Sequence, residues 1–202
     1  MVNLTFWLRR PKLILPRLKF WLFERFNLDK PWLCTGTIEY LDLALTGTGK
    51  GVEFGSGRST QWLAKRLKQL VSVEHHEGWH SIVTKQLQDA KIANVDYRLI
   101  PLDHLKSAPE EADYQPLPKY VSFLEDFGAD TLDFVLVDGH YRTTCIRQSI
   151  AKIAPGGFLV VDDVNLWANN NPPVPADWNC VNTSSNGIKT AKIWQKSVNL
   201  AK

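Results

Sequence analysis

GVEFGSGRST, residues 51–60, decides the fold. Its first half is an apolar run of strand length, Gly55-Ser56-Gly57 is a tight turn, and a helix opens near Ser59. A strand that ends in a glycine turn and leads into a helix is the first half of a βαβ unit.

The same rhythm continues in both directions. TIEYLDLAL before it has helical spacing of Ile38, Leu41 and Leu45. After it come a helix over residues 59–70, the strand LVSVEH, the helix GWHSIVTKQLQDAKI with Trp79, Ile82, Val83 and Leu87 on one face, and the strand VDYRLIP. A polar, proline-containing stretch (106–118) precedes a short helix KYVSFLEDF, the strand TLDFVLVDG, the helix TTCIRQSIAKI and the strand GGFLVVDDV. Strands that are near-continuous apolar runs, alternating with helices, predict a parallel sheet buried on both faces, a doubly wound α/β domain. The chain then changes: NNNPPVPADW leaves no room for a crossover helix, and Asn186-Gly187 supplies φ > 0 residues for a hairpin between strands near Cys180–Ser184 and Thr190–Gln195. The expectation is a Rossmann-like sheet of seven strands, mostly parallel, with an antiparallel hairpin at its C-terminal end.

Composition narrows the class. With 202 residues and 44% hydrophobic content, the chain builds one sizeable core. Residues 1–35 read as a basic, aromatic-rich helical extension and 36–202 as the main domain. The net charge of +3 is concentrated early: Arg9, Arg10, Lys12, Arg17, Lys19 and Arg25 stand against Glu24 alone in residues 1–26. The apolar VNLTFWL precedes Arg9 and Arg10, the reverse of a secretory signal. Pro16 suits the first turn of a helix through about Phe26 that carries Leu18, Trp21, Leu22 and Phe26 on one face. Such a face fits the domain, a second copy in a homodimer, or a membrane surface met peripherally. The main domain lacks a basic stripe, so no nucleic-acid partner is expected. Three cysteines without zinc-type spacing give neither a disulfide framework nor a metal knot, which fits a reducing, cytoplasmic setting.

In an open α/β sheet the ligand binds beyond the carboxyl ends of the strands, where the topology reverses. The turn Gly55-Ser56-Gly57 lies at such an end, and the helix start after it favours an anionic group. Glu74 follows Gly55 by 19 positions, close to the spacing at which an acid holds a ribose diol. Glu53, inside the strand, needs a partner, and a ligand ammonium group would serve. His140, directly after the fourth strand, has the type and place of a general base; a helix-capping role is the alternative. Asp138, Asp162 and Asp163 end two neighbouring strands and form an oxygen set suited to Mg²⁺. Arg142 and Arg147 read as solvated helix charges or as contacts to an anionic substrate, and Cys145 as a core residue. An NAD-binding oxidoreductase is the rival on this architecture, weakened because Thr60 replaces the third glycine of G-x-G-x-x-G. A third reading is a module that binds the cofactor without catalysis.

VEFGSGRST, VSVEH, DFVLVDG and PGGFLVVDD, taken together, resemble the motifs of the class I S-adenosylmethionine-dependent methyltransferases over residues 36–196. The resemblance implies methyl transfer to a small-molecule acceptor, with oxygen the expected nucleophile. It implies that Gly55 and Gly57 hold the methionine part of the cofactor, Glu53 its amino end, Glu74 the ribose, and Leu102 and Asp103 the adenine, with Asp138 near the transferred methyl. Trp32, Tyr40 and Trp167 come from regions that cover the acceptor in this family. VVDDVNLW is similar to the metal-binding strand end of catechol-type and caffeoyl-CoA-type O-methyltransferases, except that Asp163 replaces an Asn and the lysine that follows the earlier Asp is absent. VDGHYRTTC looks closer to small bacterial members with a D-G-x-x-R-x-x-C string.

Overall fold

The central apolar runs, residues 51–54, 134–137 and 159–161, pair as strands buried on both faces, whereas residues 95–99 at the sheet edge are only half-buried or exposed. A computed structural model describes residues 14–104 and 109–198. Its helices and strands, in chain order, are α1 (Ile14–Phe26), α2 (Thr35–Ala44), β1 (Lys50–Phe54), α3 (Arg58–Ala64), β2 (Gln69–Glu74), α4 (Glu77–Asp89), β3 (Val95–Leu99), α5 (Lys119–Ser122), β4 (Leu132–Val137), α6 (Arg142–Ile150), β5 (Ile153–Val161), β6 (Asn179–Ser185) and β7 (Thr190–Gln195). The seven strands form one sheet in the order β3-β2-β1-β4-β5-β7-β6, parallel through β5 and antiparallel at β7 and β6. The expected fold class is therefore the observed one.

Alternation along the strands divides the core into two layers. Val52, Phe54, Val135, Val137, Leu159 and Val161 point to a layer that includes Tyr120, Tyr141, Cys145 and Ile146. Phe134, Leu136, Val160 and Ile193 point the other way, onto Leu33, Ile38, Leu41, Trp62 and Leu63. The order reverses between β1 and β4, which puts the switch-point crevice beyond Phe54 and Val137.

Several elements differ from the sequence reading. The helix expected over 59–70 ends at Ala64 because Asn94 Nδ2 donates to the Ala64 and Leu67 carbonyls while Gln69 already begins β2. The helix at KYVSFLEDF tightens into a 3₁₀ turn at Phe123–Asp126. In the hairpin only Gly187 has positive φ, +80°; Asn186 turns the chain with its side chain, Oδ1 accepting from the Ile188 and Lys189 N–H groups.

Of the three placements open to the apolar face of α1, packing on the domain is the one this structure does not adopt. Pro16 and Phe23 face the molecule, and none of its residues is buried, while Leu18, Trp21, Leu22 and Phe26 point outward. Arg9, Arg10, Pro11 and Lys12 lie outside the described residues. Among the described residues no helix is long and apolar enough to cross a membrane.

Candidate functional site

An open cleft of about 790 Å³ occupies the crevice, lined by Gly55, Ser56, Glu74, His75, His76, Gly78, Trp79, Ile82, Glu110, Asp138, Gly139, His140 and Arg142. That volume suits a nucleoside-sized ligand. Gly55 is required by its conformation: φ is +87°, and a Cβ there would stand 2.8 Å from Gly139 Cα. Its bareness thus lets β1 and β4 meet under the cleft, rather than only admitting a ligand. Gly57 lies outside the lining, and its N–H donates to Thr60 Oγ1 at 3.0 Å. This N–H, one of those at the helix start, is used within the turn.

Glu74, 4% exposed, is held from two sides. Oε1 accepts from the His75 and His76 N–H groups at 2.8 and 2.9 Å and pairs with His75 Nδ1, and Oε2 accepts from Ser56 Oγ at 2.8 Å. Ser56 in turn meets Tyr97 Oη at 2.6 Å, and its carbonyl accepts from Trp79 Nε1.

Glu53 is fully buried behind the turn. Its Oε2 accepts from Thr60 Oγ1 at 2.7 Å and from Ser72 Oγ at 2.6 Å, while Oε1 has no partner. Burial pushes its carboxyl up to about 7 despite the hydroxyls of Ser59, Ser72 and Thr60. The partner that this position demands is thus partly internal, because β2 brings Ser72 opposite Glu53 in the sheet register.

Beyond β4, Asp138, Gly139 and His140 form the floor. His140 Nδ1 pairs closely with Glu110 Oε1, and Glu110 Oε2 accepts the Tyr141 N–H at 2.8 Å. Tyr141 has φ +54°, an uncommon conformation for a tyrosine that Glu110 and the helix start hold in place. His75 packs edge-on to His140 with ring centroids 4.3 Å apart. Glu110 was not anticipated. It sits in the polar stretch before α5, where Thr143 Oγ1 donates to the Glu111 carbonyl and Thr144 Oγ1 meets Asp113.

Arg142 is 8% exposed, not a solvated helix charge. Its Nη1 donates to the Asp162 carbonyl at 2.7 Å and Nε to the Gly139 carbonyl at 2.9 Å, and it faces Asp138 and Asp163 at 3.4 and 3.5 Å. It joins the ends of β4 and β5. Arg147 pairs with Asp113 at the surface.

A match to the model of the methyltransferase domain family spans residues 52–164, from β1 through the end of β5. The chain belongs to that family. Similar solved structures include a methyltransferase-like protein from Silicibacter pomeroyi, 20% identical over 85% of this chain and 91% of that one, TM-score 0.60. Another is a candidate methyltransferase from Streptococcus mutans in complex with SAH, 11% identical over 79% and 95%, TM-score 0.59. A third is an rRNA methylase from Streptococcus thermophilus, 14% identical over 80% and 95%, TM-score 0.57. At these identities the likeness establishes the fold. No curated protein matches the chain. This methyltransferase assignment sets aside the oxidoreductase alternative.

Other sequence-selected residues of the methyltransferase fall away from the cleft. Leu102 packs on the core, and Asp103 is taken by the Lys119 N–H at 3.0 Å and by His104. Burial raises the Asp103 carboxyl, but those two donors outweigh it and leave it below its ordinary value. Tyr40 packs edge-on to Phe158, Trp167 Nε1 bonds Thr143 Oγ1, and Trp32 stacks behind Trp79. Cys145 is in the core, as read.

The acids Asp138, Asp162 and Asp163 do converge, their carboxylate oxygens within 4.8 Å of one another. Asp162 Oδ1 is buried without a partner, which by itself would suit a hard cation. However, Lys189 Nζ, delivered by the hairpin, pairs closely with Asp162 Oδ2, and Arg142 faces the other two acids. Burial lowers the Lys189 ammonium, but Asp162 and Asp138 outweigh that and raise it, so it stays charged. The chain fills the cation positions itself, and the set does not fit an ion as it stands.

Proposed function

We propose that this methyltransferase moves a methyl group from S-adenosylmethionine to a hydroxyl oxygen of a small-molecule acceptor, with His140 taking the proton. The observation that carries the reading is the His140–Glu110 pair on the cleft floor. A carboxylate on Nδ1 fixes the ring's orientation and leaves Nε2 to accept a proton.

The residues fit the donor. Glu74 is the acceptor for a ribose diol, which would take over the place of the Ser56 hydroxyl on Oε2. Glu53 Oε1, buried and unpartnered, supports a role toward the donor's amino end, reached through water. His76, Trp79 and Ile82 offer an aromatic and apolar wall beyond Glu74 that we assign to the adenine, in place of Leu102 and Asp103. The cofactor supplies a methyl group on a cationic sulfur; an oxygen acceptor must lose its proton as it bonds, and His140 holds that proton at Nε2. Glu74, Glu110 and Asp138 outnumber Arg142 in the lining, a balance that suits a cationic donor and opposes a phosphate backbone. A small acceptor is favoured over nucleic acid on that ground, although one similar fold is an rRNA methylase.

Methyl-labelled S-adenosylmethionine incubated with a panel of hydroxyl and amine acceptors, and with rRNA, tests this reading. Label should pass to a hydroxyl acceptor, and His140→Ala should lower turnover roughly 10²- to 10⁴-fold with donor binding retained. Glu110→Gln should lower kcat and leave donor affinity unchanged. Label entering rRNA alone, or undiminished turnover in His140→Ala, contradicts it.

A further inference from the structure

Helix α1 turns its apolar face away from the protein and is fixed in that orientation. Its inner side is anchored at three points: Pro16 sits against the hairpin turn, where a Cβ on Gly187 would come within 2.8 Å of it; Phe23 packs on the second core layer; and Arg58 Nη1 donates to the Glu24 carbonyl at 2.9 Å. The helix therefore cannot roll its leucines inward without losing all three. What it presents to solvent is Leu18 at 50%, Trp21 at 50%, Leu22 at 40% and Phe26 at 78% exposure.

Charge identifies what covers this face. At 100° per residue, Leu18 and Leu22 lie at the centre of the outer stripe, Arg25 lies within it, and Arg17 and Lys19 fall on its two flanks. Glu24, the helix's single acid, lies on the same flank as Arg17, about 20° further round, and is half-buried. A two-fold pairing of copies through this stripe would bring two sets of Arg17, Lys19 and Arg25 together, which like-charge repulsion opposes. An anionic lipid surface meets both demands, with acyl chains for the leucines and aromatics and phosphates for the cations. At about 20 Å the helix lies in the interface rather than spanning it.

We propose that α1 is a membrane-docking helix that holds the protein in the plane of an anionic lipid surface. The connection to the cleft is direct. Arg58, which anchors α1, lies over Trp32 at 5.1 Å, and Trp32 stacks on Trp79 of the cleft wall. Docking at α1 thus sets the cleft at a fixed offset from the surface.

Sedimentation of the full chain with phosphatidylcholine vesicles, with and without phosphatidylserine, tests the proposal independently of any acceptor. The protein should pellet with the anionic vesicles and stay in solution with the neutral ones, and added salt should release it. Arg17→Glu and Lys19→Glu should each weaken binding roughly fivefold or more. Leu18→Glu with Leu22→Glu should abolish it while leaving the thermal transition in place. Equal pelleting of the double variant, or no pelleting of the native chain, overturns the proposal. So does a dimer in light scattering that the double variant converts to monomer, which would make a second copy the occupant.

Discussion

Glu53 has no exposed surface and stands two residues before the glycine turn, so pH acts on it through folding. Its carboxyl is raised from an ordinary 4.5 to about 7 by burial. In that interval the native chain binds a proton that the unfolded chain has lost, so stability falls as pH rises from about 4.5 to about 7 and is level above it. The full effect is on the order of 3 kcal/mol at most. Urea unfolding of the native protein and of Glu53→Gln should give a stability difference that changes across that window and is constant beyond it. A difference independent of pH would show that Glu53 is ionised throughout. The position of Glu53 was legible in the sequence because a carboxylate in a buried strand demands explanation; Ser72 and Thr60 as its partners were not, since strand register brings them there. The burial of Arg142 is hidden in the sequence for a similar reason. Its burial depends on β4 and β5 ending side by side, which helical spacing does not record.

At the level of elements, the hairpin does more than close the sheet. It carries Lys189 into the acids at the ends of β4 and β5. No lysine follows Asp138 closely in the sequence; the cation arrives instead from a segment distant in the chain. Replacing Lys189 with Met should leave Asp162 without its counter-charge and open a place for a divalent ion. Calorimetry should therefore detect Mn²⁺ binding in Lys189→Met but none in the native protein, and a chelator should leave native turnover unchanged. Mn²⁺ binding by the native chain, or chelator-sensitive turnover, would restore the three acids as a metal centre. Element boundaries were otherwise readable to within a few residues. The exceptions, the early end of α3 and the side-chain turn at Asn186, come from the side chains of Asn94 and Asn186 bonding to backbone.

For the whole molecule, topology was the most legible property. Apolar runs alternating with helical segments specified the parallel sheet, and the missing crossover before residue 179 specified the antiparallel end. The crevice between β1 and β4 then follows, and Glu74, Asp138 and His140 reach it from separate segments. Glu110 is not legible in the sequence, since it comes from a stretch without periodicity, and the sequence pattern of α1 does not say what its apolar face meets. The proposed binding of an adenosyl sulfur cofactor in this crevice runs through Glu74. Titration calorimetry of the full chain with S-adenosylhomocysteine, NAD⁺ and the Glu74→Gln variant tests it most directly. Saturable binding of S-adenosylhomocysteine, none of NAD⁺, and roughly tenfold or greater loss of affinity in Glu74→Gln are expected. Preference for NAD⁺, or full affinity in the variant, would contradict it.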